Sequence, residues 1–244
     1  MSNDLLLLLF IGVFAMALLY SSVGHAGASG YIAVMSLLSL APATIKPTAL
    51  ALNILVASLA AWRFARAGHF RWPLFWPFAL LAIPLAFLGG HLNLPAWLFQ
   101  KILGAVLLLS AWHLFSQAGP EKQTRSPPWW AALMCGGAIG LFAGLTGTGG
   151  GIFLTPLLLF AGWARAKEAA AVSALFILCN SVAGLLGNWA STASLPNFIG
   201  PLLLVAALGG WLGSGWGSRR FAPALIKRLL AAVLVVAGLK LLLT

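Results

Sequence analysis

The sequence predicts an all-α polytopic membrane protein made of two inverted repeats of about five hydrophobic segments each, with a short or broken helix in each repeat. The first observation is composition: 61% of the 244 residues are apolar, 7% are charged, and the mean hydropathy is +1.01. Soluble domains are about half apolar and about a quarter charged. The other observations are two sets of five apolar segments and basic residues gathered in one group of loops. We therefore expect a multi-pass protein of the lipid bilayer.

The apolar segments follow one another with short connections. The first run lacks the basic flank of a signal peptide, so we interpret it as a retained helix. The first half contains segments 4–21, 29–41, 46–63, 73–90 and 95–115, and the second half contains 129–145, 150–162, 167–189, 197–216 and 223–243. The chain divides into an N-terminal repeat (1–116), a connecting loop (117–128) and a C-terminal repeat (129–244). Eight or nine complete crossings are the alternative if some segments do not cross fully.

The two halves look like copies of one unit. A shift of 121 positions places Gly30 on Gly151 and Lys46 on Lys167. Leu-Gly-Gly at 88–90 recurs at 208–210, with a slip of one residue. Because each half has an odd number of segments, the second copy must be inverted relative to the first.

The loop charges test this topology, because basic residues concentrate in loops on the cytoplasmic side. With ten segments, 11 of the 14 Lys and Arg residues fall on one side and three on the other. The larger group is Arg63, Arg66, Arg71, Lys122, Arg125, Arg165, Lys167, Arg219, Arg220, Lys227 and Arg228. This distribution predicts that both termini lie outside. It also explains the net charge of +11 without a nucleic-acid partner.

Segments 29–41 and 150–162 are too short to cross a hydrocarbon core of about 30 Å, since a helix rises about 1.5 Å per residue. Each is the second segment of its half, and each follows a glycine-rich run. Irregular backbone inside a membrane is tolerated only where protein or a wet cavity surrounds it. Paired interruptions in two halves therefore indicate a transporter binding site.

The direction of the chain predicts the chemistry of this site. Each glycine run opens a helix and exposes unpaired N–H groups at the positive end of its dipole, and two such ends near the midplane would bind a small anion. The residues expected to bind are Ser22, Gly24, His25, Gly27, Ser29 and Gly30 in the first run, and Thr146, Gly147, Thr148, Gly149, Gly150 and Gly151 in the second. Close packing of small residues is the alternative. A nucleotide-binding loop is excluded, because no Gly-Lys-Ser/Thr is present.

The second run continues as Gly-Thr-Gly-Gly-Gly-Ile-Phe-Leu-Thr-Pro at 147–156, and Lys-Glu-Ala-Ala-Ala-Val-Ser-Ala-Leu follows at 167–175. This sequence resembles the sulfite exporter TauE/SafE family over essentially the whole chain. The first-half copy, at 23–32, has neither the triple glycine nor the proline. The resemblance implies a transporter of sulfite, sulfonates or related small organic anions in the bacterial inner (plasma) membrane. It does not choose among these anions.

Four polar residues have candidate roles of their own, His25 in the first glycine run and three residues inside apolar segments. His25 could serve as a ligand or proton carrier, with a packing histidine as the alternative. Asn53 and Asn180 lie mid-segment and could face the site or bridge helices. Ser173 is a candidate because a hydroxyl near a helix start suits an anion.

Three charged residues lie near segment starts. Lys46 and Lys167 could steer anions into opposite vestibules, or they could be interfacial lysines that extend to the membrane surface. Glu168 could cap its helix or pair with Arg165.

The expected function is secondary transport of a small anion, sulfite or an organosulfonate, by alternating access around a midplane site. A channel, or a transporter for another ion or metabolite, is the alternative, although a cation site would require intramembrane carboxylates. We expect no enzyme, metal site or cofactor, since no histidines share metal-ligand spacing and the only Ser–His group lacks an orienting acid. The expected partners are the anion and the bilayer, with a homodimer as an open alternative.

Overall fold

The computed structural model describes residues 3–92, 124–189 and 195–220, together with single positions between 101 and 112 and between 222 and 243. All regular structure in these described parts is helical apart from turns. In chain order the helices are α1 (Asn3–Ser22), α2 (Ala28–Leu37), α3 (Pro42–Arg66), α4 (Trp72–His91), α5 (Trp129–Thr146), α6 (Gly151–Phe160), α7 (Ala166–Gly187) and α8 (Ile199–Arg219).

Six of these helices are long and apolar enough to cross a bilayer, with spans of 18 to 23 residues. They are α1, α3, α4, α5, α7 and α8. The expectation of a multi-pass, all-α membrane protein is confirmed. Helices α2 and α6 have 10 residues each, which corresponds to about 15 Å. Both predicted short segments therefore exist as short helices.

Two boundaries differ from the sequence prediction by about a turn. Helix α2 ends at Leu37 rather than near residue 41, and α3 begins at Pro42 rather than near residue 46. Proline favours the first turn of a helix because its fixed φ suits that position and its missing N–H costs nothing there. The apolar residues that precede Pro42 belong to the connection, which hydropathy alone does not reveal.

Segments 95–115 and 223–243 lie mostly outside the described residues, as does much of the connecting loop. The described positions within both segments are helical. Gly104 lies beside the backbone of Gly238, so the two segments are neighbours at that point.

Two rows of glycine hold the outer helix pairs together. Gly136, Gly140 and Gly144 of α5 lie against the carbonyl groups of Phe78, Ala82 and Ala86 in α4, and Gly209, Gly213 and Gly217 of α8 lie against those of Phe14, Leu18 and Ser22 in α1. Within each pair the residue numbers rise together, so the helices run parallel. Glycine at every fourth position lets two backbones approach closely in a membrane. A parallel α4–α5 pair also requires the chain to return between them, as the predicted fifth segment would do.

Helices α3 and α7 cross at the centre of the molecule. Leu50 lies near Gly184, and Asn53 is hydrogen bonded to Ser181, so the two helices run antiparallel. Corresponding helices of the two halves therefore run in opposite directions. This agrees with an inverted second half, whereas the descent of both halves from one repeated unit stays a prediction.

The arginine-rich loops meet at one end of the helices. Arg71 forms an ion pair of 3.5 Å with Glu168, and His69 Nε2 donates to the Ser218 carbonyl at 3.1 Å. The Arg125 N–H donates to the Gly162 carbonyl at 2.9 Å. These contacts gather four basic loops on one side, as the charge pattern predicts.

Candidate functional site

Two glycine-containing loops separate the first two helices of each half. The first glycine loop (residues 23–27) joins α1 to α2, and the second glycine loop (147–150) joins α5 to α6. In the second loop Gly147, Gly149 and Gly150 have φ angles of 75°, 75° and 82°. Side chains strongly disfavour this left-handed region. These three glycines are therefore what allow the chain to reverse within four residues.

Both loops present backbone N–H groups with no hydrogen-bond acceptor among the described residues. In the first half these are the N–H groups of residues 26–30, and in the second half those of residues 148–152. The N–H groups just beyond them are bonded: Tyr31 donates to the Gly27 carbonyl, and Leu154 donates to the Gly150 carbonyl. Each short helix thus begins with a group of free donors at the positive end of its dipole.

His25 brings the first loop against the second half. Its Nε2 donates to the Gly151 carbonyl at 2.8 Å, and Gly24 lies against Ala170 of α7. Because a carbonyl can only accept, Nε2 carries the hydrogen, and Nδ1 of the neutral ring is then an acceptor. The start of α6 and the first glycine loop are therefore direct neighbours.

Asn53 ties the second loop to the central helices. Its Nδ2 lies 3.4 Å from the Thr148 carbonyl oxygen and 3.4 Å from Ser181 Oγ. A Cβ atom on Gly149 would lie 2.7 Å from Ile177 Cγ2, 2.8 Å from Ser181 Oγ and 3.0 Å from Asn53 Nδ2. Helices α3 and α7 thus enclose the loop from two sides.

Several buried side-chain atoms of α3, α7 and the first glycine loop have no hydrogen-bond partner in the described part of the chain. They are His25 Nδ1, Asn53 Oδ1, Thr48 Oγ1 and both amide atoms of Asn180, and all four residues are at most 2% exposed. An unpaired buried polar group costs about 1–3 kcal/mol. Native proteins satisfy such groups with water or a ligand, so this region is suited to a small polar guest.

The hydroxyl groups expected to serve as donors are instead bonded within the protein. Ser22 donates to the Leu19 carbonyl and Thr146 to the Phe142 carbonyl, as helical hydroxyls commonly do. The other pairs are Ser29 with Tyr20, Thr148 with Thr146, and Ser173 with Thr155. The backbone amides and Asn180 Nδ2 are therefore the principal free donors among the described residues, and Ser173 accepts from Thr155.

Two further expectations change in detail. Ser173 lies two turns into α7, because that helix begins at Ala166, so it is not at the exposed helix start. Gly30 lies against Met16 of α1, and Gly27 lies beside the ring of Tyr31. In the first half, packing against α1 thus accounts for Gly30, whereas Gly27 has a φ of 102° and lies in left-handed backbone.

Sequence reasoning did not single out Ser181 or Thr48. Ser181 follows Asn180 directly and contacts Asn53, while Thr48 is fully buried in α3. Each is a polar residue within an apolar segment, and this is the sequence signal that could have found it. The direction in which each side chain points depends on how α3 and α7 pack against each other.

One cation, Lys46, lies beside the second glycine loop. Lys46 Nζ lies 3.5 Å from the Gly90 carbonyl oxygen, and its stem lies beside Gly147. Glu168 accepts from the Arg165 backbone N–H at 3.0 Å and pairs with Arg71 rather than with the Arg165 side chain. Lys167 is partly exposed at the arginine-rich end. Within the described part of the chain, no three His, Cys, Asp or Glu residues lie close enough to hold a metal ion.

Comparison with known proteins gives a consistent result. The sequence model of a family described as Sulfite exporter TauE/SafE matches residues 8–241. A probable membrane transporter protein from Sinorhizobium fredii is 42% identical over 239 residues, which cover 96% of this chain and 97% of that protein. Another probable membrane transporter protein, from Methanocaldococcus jannaschii, is 25% identical over 197 residues, which cover 76% of this chain and 73% of that protein. No solved structure is significantly similar to the chain.

Proposed function

The chain belongs to the sulfite exporter TauE/SafE family, and from this membership and the geometry of the glycine loops we propose that it is a secondary transporter that exports a small oxyanion, sulfite or an organosulfonate. Membrane transport follows from the family and its relatives. The class of substrate and the mechanism are inferred from the site.

One observation carries this proposal. Two groups of free backbone N–H donors, at residues 26–30 and 148–152, lie beside His25 and Asn53, each of which has one buried polar atom without a partner among the described residues. Donors at helix starts bind oxyanions without a buried arginine or lysine. The His25–Gly151 contact joins the two groups at one place.

The unpaired side-chain atoms refine the class of guest. Asn180 Nδ2 is a donor, whereas Asn53 Oδ1 and the His25 Nδ1 of a neutral ring are acceptors. An anion with a hydroxyl hydrogen, such as hydrogen sulfite, would satisfy both kinds of atom. An anion without one would need a water molecule between its oxygens and these acceptors.

Alternating access follows from the two-half arrangement. Each half supplies one interrupted helix, and rocking of one half against the other would open the site to each side in turn. An inside-negative potential expels a unit anion with about 2.3 kcal/mol per 100 mV. Export of the anion alone therefore needs no acidic coupling residue.

Ligand-dependent thermal stability tests the proposal with a matched pair of variants. Gly149→Ala and Gly68→Ala both place a side chain at left-handed backbone, since φ is 75° and 79°, but a Cβ on Gly68 would meet nothing within 4 Å. Each should lose about 1–2 kcal/mol from backbone strain. Only Gly149→Ala also crowds Asn53 and Ser181.

The purified protein and both variants are heated with sulfite, sulfate, thiosulfate, sulfoacetate, taurine or acetate. A bound ligand at about 100 times its Kd stabilises the folded state by about 2.7 kcal/mol. We expect a shift with at least one sulfur oxyanion in the parent and in Gly68→Ala, and none in Gly149→Ala. An equal shift in Gly149→Ala would place the site elsewhere.

A further inference from the structure

A groove between the ends of α3 and α8 is separate from the glycine loops. We call it the Arg–Trp groove and define it by Trp62, Arg63 and Arg66 of α3 and by Trp211 and Arg219 of α8. The Arg63 guanidinium carbon lies 3.6 Å from the centre of the Trp211 ring and 5.7 Å from that of Trp62. Arg66 lies 5.0 Å from the Trp62 ring. The two indole rings stack at 5.6 Å.

The cations of this groove have no acidic partner among the described residues. The ion pair between Arg71 and Glu168, which the described residues do contain, lies outside the groove. Arg63 Nε is buried and has no acceptor, although a guanidinium carries five donors. Arg219, the last residue of α8, lies within electrostatic range of Arg63 and adds charge of the same sign. The groove thus concentrates positive charge and unused donors.

The two indoles of the groove are partly exposed on the outside of the helices. Trp62 and Trp211 are 45% and 44% exposed, and exposed tryptophans mark the membrane interface. Arg66 and Arg219 end their helices at the arginine-rich side. Along α3, Arg63 follows Asn53 by ten residues, or about 15 Å of helix.

We propose that the Arg–Trp groove binds the headgroup phosphate of an anionic phospholipid, with an acyl chain along the exposed indole faces. Guanidinium groups match phosphate geometry and also stack on aromatic rings. Basic pockets between membrane helices are suited to lipid headgroups. A lipid is favoured over a soluble anion because the exposed indole faces offer apolar surface to an acyl chain beside the cations.

Native mass spectrometry of delipidated protein in a neutral detergent tests this proposal. The added probes are phosphatidylglycerol, phosphatidylcholine and glycerol phosphate. We expect preferential retention of phosphatidylglycerol by the parent, and no retention of glycerol phosphate. Because one surface arginine contributes about 1 kcal/mol to binding of anionic lipid, Arg63→Gln should weaken retention about fivefold.

The matched control is Arg125→Gln, which removes one charge at the same end of the molecule while its backbone contact to Gly162 remains. It should retain phosphatidylglycerol like the parent. Arg219→Gln provides a second test at an exposed position if Arg63→Gln does not give a monodisperse protein. Equal loss in Arg125→Gln, unchanged retention in both groove variants, or equal binding of glycerol phosphate would overturn the proposal. The outcome is independent of oxyanion transport.

Discussion

Substitution of Asn53 by aspartate changes the charge of the proposed site with almost no change in shape. Asn53 is fully buried, and its Nδ2 lies 3.4 Å from both the Thr148 carbonyl oxygen and Ser181 Oγ. Asn53→Asp would place a carboxylate oxygen opposite that carbonyl and beside the free amides of residues 148–152. The carboxylate would then compete with any anion for the same donors.

The expected loss of affinity can be worked from Coulomb's law. Two unit charges about 5 Å apart in an effective dielectric of about 20 repel each other by about 3 kcal/mol. This energy corresponds to a loss in affinity of about 200-fold. Asn53→Leu has a similar volume and no charge, and it removes only the two hydrogen bonds. Its expected loss is about fivefold, from about 1 kcal/mol of hydrogen bonding.

Isothermal titration of an organosulfonate at pH 8 and pH 5 provides the assay, because the charge of a sulfonate does not change over this range. Affinity should decrease from the parent to Asn53→Leu to Asn53→Asp at pH 8. Because burial at this position disfavours a charged carboxylate, lowering the pH protonates part of it, so the defect of Asn53→Asp should shrink at pH 5. If Asn53→Asp and Asn53→Leu bind equally at pH 8, Asn53 does not face the anion.

Two further predictions concern packing and His25. Gly213→Ala would force a methyl group against the Leu18 carbonyl, whereas a Cβ on Gly200, in the same helix, meets nothing within 4 Å. We expect thermal unfolding in detergent to show that Gly213→Ala loses about 1–3 kcal/mol of stability and that Gly200→Ala loses none. Similar melting of both variants would refute close α1–α8 packing. His25→Phe keeps a ring but leaves the buried Gly151 carbonyl unpaired, so the stability of the protein should fall by about 1–3 kcal/mol. In titrations of the folded variant, the affinity for the oxyanion should fall about tenfold. An unchanged affinity would exclude His25 from the site.

Hydropathy and glycine content predicted the helices well. Segment 150–162 corresponds to α6 (Gly151–Phe160), and segment 129–145 corresponds to α5 (Trp129–Thr146). Glycine at 149 and 150 marks a left-handed turn that few other residues adopt, so the break before α6 is encoded locally. The start of α3 at Pro42 was missed because the apolar residues before it continue the hydrophobic pattern without continuing the helix.

The site was only partly predictable. The glycine loops and Asn53 follow from local sequence, and the structure brings them together. Ser181 was missed because its contact with Asn53 depends on the register between α3 and α7, which no local pattern specifies. The hydroxyls of Ser22 and Thr146 were expected to be free, yet each bonds the carbonyl of a preceding turn. The sequence does not show which acceptor a hydroxyl chooses.

The central claim is that the two interrupted helices bind one anion between them. Crystals soaked in selenite, a heavier analogue of sulfite, would locate the anion by anomalous scattering from selenium. We predict a peak within about 4 Å of amides in both groups, at 26–30 and at 148–152, the distance expected for hydrogen-bonded oxygens around a central atom. A peak at the Arg–Trp groove alone, or none in crystals of protein that transports sulfite, would contradict it.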